Sequence, residues 1–217
     1  MRRMLLAAAG ARYDLISNSS TVIYRHNRLT SAVKSTFAAP ATGTSGMTFA
    51  ENNLITTNSV TDKIYVHTGV SATVSTSFAG PGATMRGVTF NGTNLFSCSQ
   101  TAVKIYTHSG ISSTVSTSFA APSSTPMDLT YDGTNLISCG FGGGEKIYKH
   151  SGVTSAISTS FATPGSQCKG LAHDGTNLFS SDDWGKIYKH DGVTSSILTS
   201  FAAPGTQSQG LAVTRNV

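Results

Sequence analysis

The chain has 217 residues, 38% of them hydrophobic and 12% charged, which supplies one closed core and argues against disorder. No apolar run approaches the roughly 18 residues of a membrane-spanning helix, so no membrane span is expected. The formal net charge of +5 arises within residues 1–34, where Arg2, Arg3, Arg12, Arg25, Arg28 and Lys34 face one acid, Asp14; the nine bases and nine acids that follow cancel. A nucleic-acid binder spreads basic charge over a face, so no specific nucleic-acid partner is expected either.

Residues 1–12 stand outside the pattern that governs the rest. Their positive start, short apolar stretch and small residues resemble a secretory signal, but the stretch is only about eight residues long, at the low limit for such a signal. The preferred reading is a basic tail that anchors the protein to a partner through Arg2, Arg3, Leu5, Leu6 and Arg12. A loose terminus is the plain alternative.

From Tyr13 to Val217 the chain repeats with a period of about 41 residues. The pair Ile-Tyr falls at 23–24, 64–65, 105–106, 147–148 and 187–188, and a Phe…Pro marker keeps the same beat from Phe37…Pro40 to Phe201…Pro204. Each unit reads as four strands. Strand A is short, as in Gly170-Leu-Ala-His173. Asn91-Gly92, Asp132-Gly133 and Asp174-Gly175 then predict type I′ turns with positive φ at both residues. Strand B follows as Asn177-Leu-Phe-Ser-Ser181, a variable loop leads to strand C, Lys186–His190, and a Ser/Asp-Gly turn opens strand D. There Ile197, Thr199 and Phe201 alternate, which predicts one packed face.

One such sheet cannot bury its apolar faces alone, whereas five around an axis can. The expected fold is therefore all-β, a five-bladed β-propeller of four-stranded antiparallel blades. The chain starts on a strand B (Tyr13–Ser17) and ends on a strand A (Gly210–Val213). Pairing of the C-terminal strand with the first blade should close the ring.

The residues of 164–188 carry a resemblance. Pro-Gly-x-x-x-x-Gly-Leu-Ala-x-Asp-Gly-x-Asn-Leu followed by Lys-Ile-Tyr resembles the NHL-type propeller repeat, which usually builds six blades. Units this alike also resemble the repeat propellers of phage tail or capsid-attached proteins. That resemblance implies a virion or surface protein that meets other virion or surface proteins through its tail and presents a loop face to a host. The blade count is similar to that of the tachylectin-type sugar-binding propellers, whose Trp-rich repeat motif is absent here.

Recurrent residues read as scaffold. Tyr24, Tyr65, Tyr106, Tyr148 and Tyr188 recur, as do His26, His67, His108, His150 and His190; a hydrogen bond toward the turn is the expectation for each histidine. The three cysteines, Cys98, Cys139 and Cys168, have no metal-ligand spacing and read as small buried thiols. His173 is the one histidine outside the ring and lies on an inner strand.

Individuality lies in the B–C loops and in the residues leading into strand A, which emerge at one end of a propeller. Loops on a rigid scaffold are where binding usually resides. The candidate ligand-binding residues are Trp184, Asp182, Asp183, Phe141, Glu145, Lys169 and Arg86. A flat indole can cover a pyranose face while carboxylates accept sugar hydroxyls, so a glycan is the expected ligand; Trp184 as a cap on the blade core is the plain alternative. A Ca²⁺ site at Asp182 and Asp183 would fall short of six to eight oxygen ligands, about what that ion needs. Neither a metal nor a cofactor is expected. No Gly-x-Ser-x-Gly, phosphate loop or spaced nucleophile–base pair occurs, so the chain is expected not to be an enzyme. The alternatives are a secreted lectin and a propeller hydrolase or lyase using the channel around His173.

Overall fold

A computed structural model describes residues 12–142, 144–205 and 207–216. The tail residues Arg2, Arg3, Leu5 and Leu6 lie outside the described residues, and so does the side chain of Arg12. The backbone of Arg12 opens the first strand, one residue before the sequence places it.

Twenty strands occur among the described residues, and no helix. In chain order the first three are β1 (Arg12–Asn18), β2 (Val22–His26) and β3 (Val33–Ala38). The second blade is β4 (Thr44–Ala50), β5 (Asn53–Asn58), β6 (Lys63–His67) and β7 (Val74–Ala79). The third is β8 (Met85–Phe90), β9 (Leu95–Ser99), β10 (Lys104–His108) and β11 (Val115–Ala120). The fourth is β12 (Pro126–Tyr131), β13 (Leu136–Gly140), β14 (Lys146–His150) and β15 (Ile157–Ala162). The fifth is β16 (Gly170–His173), β17 (Leu178–Ser181), β18 (Lys186–His190) and β19 (Ile197–Ala202). The last strand, β20 (Gly210–Asn216), returns to the first blade and completes the order β20-β1-β2-β3. It runs antiparallel to β1 in unbroken register from Arg12↔Asn216 to Asn18↔Gly210, the clasp the sequence predicts.

The core is divided among the five seams between blades. Ile55, Ile64 and Val66 of the second blade pack with Met85, Val88 and Leu95 of the third. Leu15 and Leu211 of the first blade meet Phe179 and Ile187 of the fifth at the closing seam. Cys98, Cys139 and Cys168 are buried free thiols in three of the blades. The outer strands differ from expectation. Their alternation buries only the Phe in part; Val33, Val115, Ile157 and Ile197 are about two-fifths exposed. An outer strand has a neighbour on one edge and solvent beyond, so the period-two pattern there does not mark a sealed face.

The turns after strand A also differ from the predicted type I′. At Asn91-Gly92, Asp132-Gly133 and Asp174-Gly175 only the glycine has positive φ. The preceding Asn or Asp instead accepts amide hydrogen bonds on its side-chain oxygen, as Asp132 does from Thr134 N (2.9 Å) and Asn135 N (2.6 Å). Among these turns, two consecutive positive φ values occur in the second blade, at Glu51 (48°) and Asn52 (68°).

The five recurrent histidines form a belt between blades. Each Nδ1 lies 2.7–2.8 Å from the carbonyl four residues on, for example His108 to Ser112. A carbonyl only accepts, so Nδ1 carries the proton and Nε2 accepts a hydroxyl: Ser17, Thr56, Ser97, Ser138 or Ser180 at 2.8–3.2 Å. Each imidazole also meets the Phe of the preceding blade, as Phe78 meets His108 with centroids 6.2 Å apart, and Phe201 meets His26 across the closing seam. The ring is therefore stitched five times by one device.

At the axis the inner strands approach to backbone contact. A Cβ on Gly46 would sit 2.3 Å from Arg86 O, and one on Gly210 2.2 Å from Ser45 O. Gly46, Gly87, Gly170 and Gly210 hold corresponding positions, and the fourth blade breaks the series with Asp128. Its fully buried carboxylate accepts Leu171 N at 2.7 Å and Leu129 N at 2.9 Å, and the nearby amides of Val88 and Leu211 also favour its charged form. The channel is thus plugged by one carboxylate that ties inner strands of different blades together.

Candidate functional site

The two ends of the ring carry different chemistry. At the end where the B–C loops emerge, Asp182 organises the fifth blade's loop. Its Oδ1 accepts Trp184 N at 3.0 Å and Lys186 N at 2.9 Å, and its Oδ2 accepts the Tyr188 hydroxyl at 2.8 Å. Burial, and then this carboxylate, push the Tyr188 phenol up to about 12. Asp182 is 4% exposed and committed to the turn, so it is not the free sugar acceptor the sequence suggests.

With its backbone held this way, Trp184 stands 82% exposed. Its indole N–H donates to Ser166 Oγ, which fixes the ring's edge and leaves its faces free of aromatic partners among the described residues. The alternative of a cap on the blade core does not hold. Asp183, next in the loop, pairs with Lys169 at 3.3 Å, and the Lys169 ammonium lies 5.1 Å from the Phe141 ring centroid. Phe141, Lys169 and Asp183 therefore form one linked patch across the fourth and fifth blades. Glu145 is set in a left-handed conformation (φ 48°), its carbonyl accepting Thr163 N, and its carboxylate makes no ion pair among the described residues. Arg86 is not part of this patch; it lines a separate pocket with Gln207 and Gln209. No group of three or more His, Cys, Asp or Glu side chains suited to a metal ion occurs among the described residues.

At the opposite end, a cavity of about 110 Å³ lies in the channel mouth, and an open groove of about 500 Å³ runs between the fourth and fifth blades. His173 lines both. Its Nδ1 accepts Gly175 N at 3.2 Å, so the neutral ring carries its proton on Nε2. Burial lowers its pKa, while the charges of Asp132 and Asp174 oppose that shift and Lys149 adds to it. Across the groove, Asp132 pairs with Lys149 at 3.0 Å. Sequence reasoning missed this pair because Asp132 reads as a turn residue and Lys149 as a strand surface residue seventeen positions away. It also missed Asp128, although the aligned glycines of the other blades are the trace that could have found it.

The belt histidines each make a Ser/Thr–His pair of the kind used in nucleophilic catalysis. All five rings are fully buried between blades, so these pairs serve packing.

No family model matches the chain, and no curated protein matches it in sequence. The NHL-type resemblance therefore has no support beyond the residues quoted for it. Solved structures do match. A glutaminyl cyclase of Myxococcus xanthus superposes with a TM-score of 0.62 at 15% identity, covering 80% of this chain and 72% of that one. A chain from the mitotic checkpoint complex gives 0.55 at 15% identity, covering 94% and 73%. At this identity the likeness shows the fold. It nevertheless corrects the expectation that the chain is not an enzyme. That expectation rested on missing sequence motifs, and the match is to an enzyme built on this scaffold, so missing motifs exclude nothing here.

Proposed function

We propose that this propeller is a recognition module whose working surface is the B–C loop end, with Trp184 as the platform for a sugar ring. The supporting observation is the exposure of that indole, 82%, on a loop whose backbone is locked by Asp182. A pre-set aromatic face loses little entropy on binding and covers the apolar face of a pyranose. The Lys169–Asp183 pair beside it offers donors and acceptors to sugar hydroxyls. In this reading residues 1–12 attach the propeller to a virion or cell surface, and deleting them abolishes incorporation while leaving sugar binding intact. Trp184 is the sole tryptophan, so its fluorescence reports on the site alone. Titration with a panel of mono- and oligosaccharides is expected to give a saturable change for one sugar class; a flat response to the whole panel overturns the platform.

A second reading is favoured by the opposite end, where His173 joins the channel cavity to the groove carrying Asp132 and Lys149. A partly buried neutral imidazole beside an ion pair is a chemical setting for proton transfer in a hydrolase or lyase. Turnover of chromogenic ester, glycoside or uronide substrates that is lost in His173→Ala supports it. Turnover that survives this substitution removes His173 from the chemistry.

A further inference from the structure

On the loop end a pocket of about 190 Å³ opens where Arg86 meets Ser20, Thr44, Ser59, Gln207 and Gln209. Every side chain in that wall is polar, and Arg86 alone is charged. Its Nε donates to Gln100 Oε1 at 2.7 Å, a neutral amide, and the guanidinium makes no ion pair among the described residues. The comparison with Lys169 is direct. Both residues immediately precede an axial glycine, Gly87 or Gly170, at corresponding positions of the third and fifth blades. Lys169 has Asp183 within 3.3 Å, whereas Arg86 has no carboxylate. Burial lowers the Arg86 pKa, as desolvation of an uncompensated cation must. The nearby Cys98 thiol is pushed up to about 12, chiefly by burial, and is neutral at pH 7, so it supplies no counter-charge.

Asn18 Oδ1, Ser45 Oγ and Ser208 Oγ are buried side-chain atoms without a hydrogen-bond partner among the described residues. Their residues neighbour the lining of this pocket in the chain or by backbone hydrogen bonds, but none of them lines it. Ser45 follows Thr44, and Ser208 lies between Gln207 and Gln209. Asn18 donates to Thr44 O at 2.8 Å, and its own carbonyl accepts Gln209 N at 2.9 Å. Buried polar atoms are normally satisfied; these three are closed off from the pocket, so the case for an occupant rests on Arg86 and the donors around it.

Three groups of the wall, Arg86, Ser20 and Gln207, keep donors free for an occupant. Ser20 Oγ accepts Gly43 N at 2.9 Å and keeps its own proton to give. Gln207 receives the Gln209 amide on its oxygen, at 3.3 Å, and keeps its nitrogen to donate. With the Arg86 fork these are suited to an oxyanion, which a guanidinium binds through paired, charge-assisted hydrogen bonds.

We propose that the Arg86 pocket is an oxyanion subsite that takes a carboxylate, sulfate or phosphate group, held by Arg86, Ser20 and Gln207. It does not rest on the Trp184 platform, and each can fail without the other. Two sources share this chemistry: a free inorganic anion and the acid group of a charged sugar.

The test is calorimetric titration of the full chain with inorganic sulfate, inorganic phosphate, D-glucuronate and D-glucose at constant ionic strength. Saturable binding of at least one anion is expected, with none for glucose. Arg86→Gln is expected to weaken that binding about tenfold or more, since it removes a charge-assisted pair, and Lys104→Gln on β10 to leave it unchanged. Tighter binding of glucuronate than of the inorganic anions assigns the pocket to an acidic sugar; the reverse order assigns it to a free anion. Absence of saturable binding by all three anions overturns the proposal. So does unchanged affinity in Arg86→Gln with a native circular dichroism spectrum. Should Arg86→Gln fail to fold, Gln207→Ala, at an exposed loop position, decides: a severalfold loss of affinity supports the subsite and an unchanged affinity overturns it.

Discussion

The histidine belt and the loop end are made by the same five blades under opposite rules. In the belt every blade repeats one solution: a neutral imidazole between a carbonyl and a hydroxyl, its ring inclined to that of the neighbouring Phe. At the loop end no blade repeats another, and Trp184, Phe141 and Arg86 each occur in one unit. The difference separates what holds the ring from what the ring presents. A side chain that must fit between identical neighbours is constrained five times over, whereas one that faces solvent is free to specialise.

Truncation after Gly205 removes β20 and with it the ladder to β1 and the buried Leu211 and Ala212. The first blade then loses its inner strand, and the last seam loses its seal. Loss of cooperative melting at 25–40 °C is expected in circular dichroism, because burial and pairing of this strand exceed the few kcal/mol of about 5–15 that a domain holds in reserve. An unchanged melting temperature contradicts the clasp.

Acid attacks the belt as a set. Burial lowers the pKa of His26, His67, His108, His150 and His190 below the ordinary 6.5. A lowered folded-state value means the unfolded chain binds protons first. The stabilisation is therefore complete above pH 6.5 and is lost as pH falls through the folded values. Each histidine contributes up to about 1.4 kcal/mol per pH unit in that window. Denaturant midpoints measured from pH 7.5 to 5 should fall steeply, and His108→Ala should cost about 2–4 kcal/mol at pH 7 through its two lost hydrogen bonds and the cavity it leaves.

The axial plug has the reverse sign. Burial raises the pKa of Asp128 well above its ordinary value, against the pull of four backbone amides. Its protonated form is favoured in the folded ring, so its contribution is complete below about 3.9, the unfolded value, and is lost as pH rises through the folded one. In Asp128→Asn the stability gain between pH 5 and 7.5 should be steeper than in the wild type. The substitution itself should cost about 1–3 kcal/mol, because the new NH₂ cannot accept from Leu171 and Leu129 together. An identical pH profile would show that the carboxylate does not titrate with folding.

At the loop end the effects on stability are smallest. Asp182→Ala should cost about 1–3 kcal/mol as three donors lose their acceptor. It should also bring the Tyr188 phenol, followed by ultraviolet absorbance, down toward its ordinary value. Trp184→Ala should change stability by no more than about 0.5 kcal/mol, as for an exposed position.

The period of the Ile-Tyr and Phe…Pro markers was enough to read the blade count, the strand order and the closing strand, because a repeat imposes its fold through spacing alone. The turn type was misjudged at Asp132-Gly133 because an aspartate that caps amides through its side chain does not need positive φ. At the site, the exposure of Trp184 was not legible, because a lone Trp in a loop fits a cap on the blade core as well as a platform until the turn is built. Nor was the withdrawal of Asp182 into the turn, since two adjacent aspartates look alike until the hydroxyl of Tyr188 is placed against one of them. Pairings of side chains distant in sequence, such as Asp132 with Lys149 within the fourth blade and Asp128 with the Leu171 amide of the fifth, depend on register and axial distance, which spacing does not encode.

The most direct test of the account is a glycan array probed with the full-length protein and with Trp184→Ala side by side. Reproducible binding of one sugar class by the wild type is expected, with loss of that binding in a variant that melts at the same temperature. Binding of the same glycans by both proteins, or by neither, would contradict it.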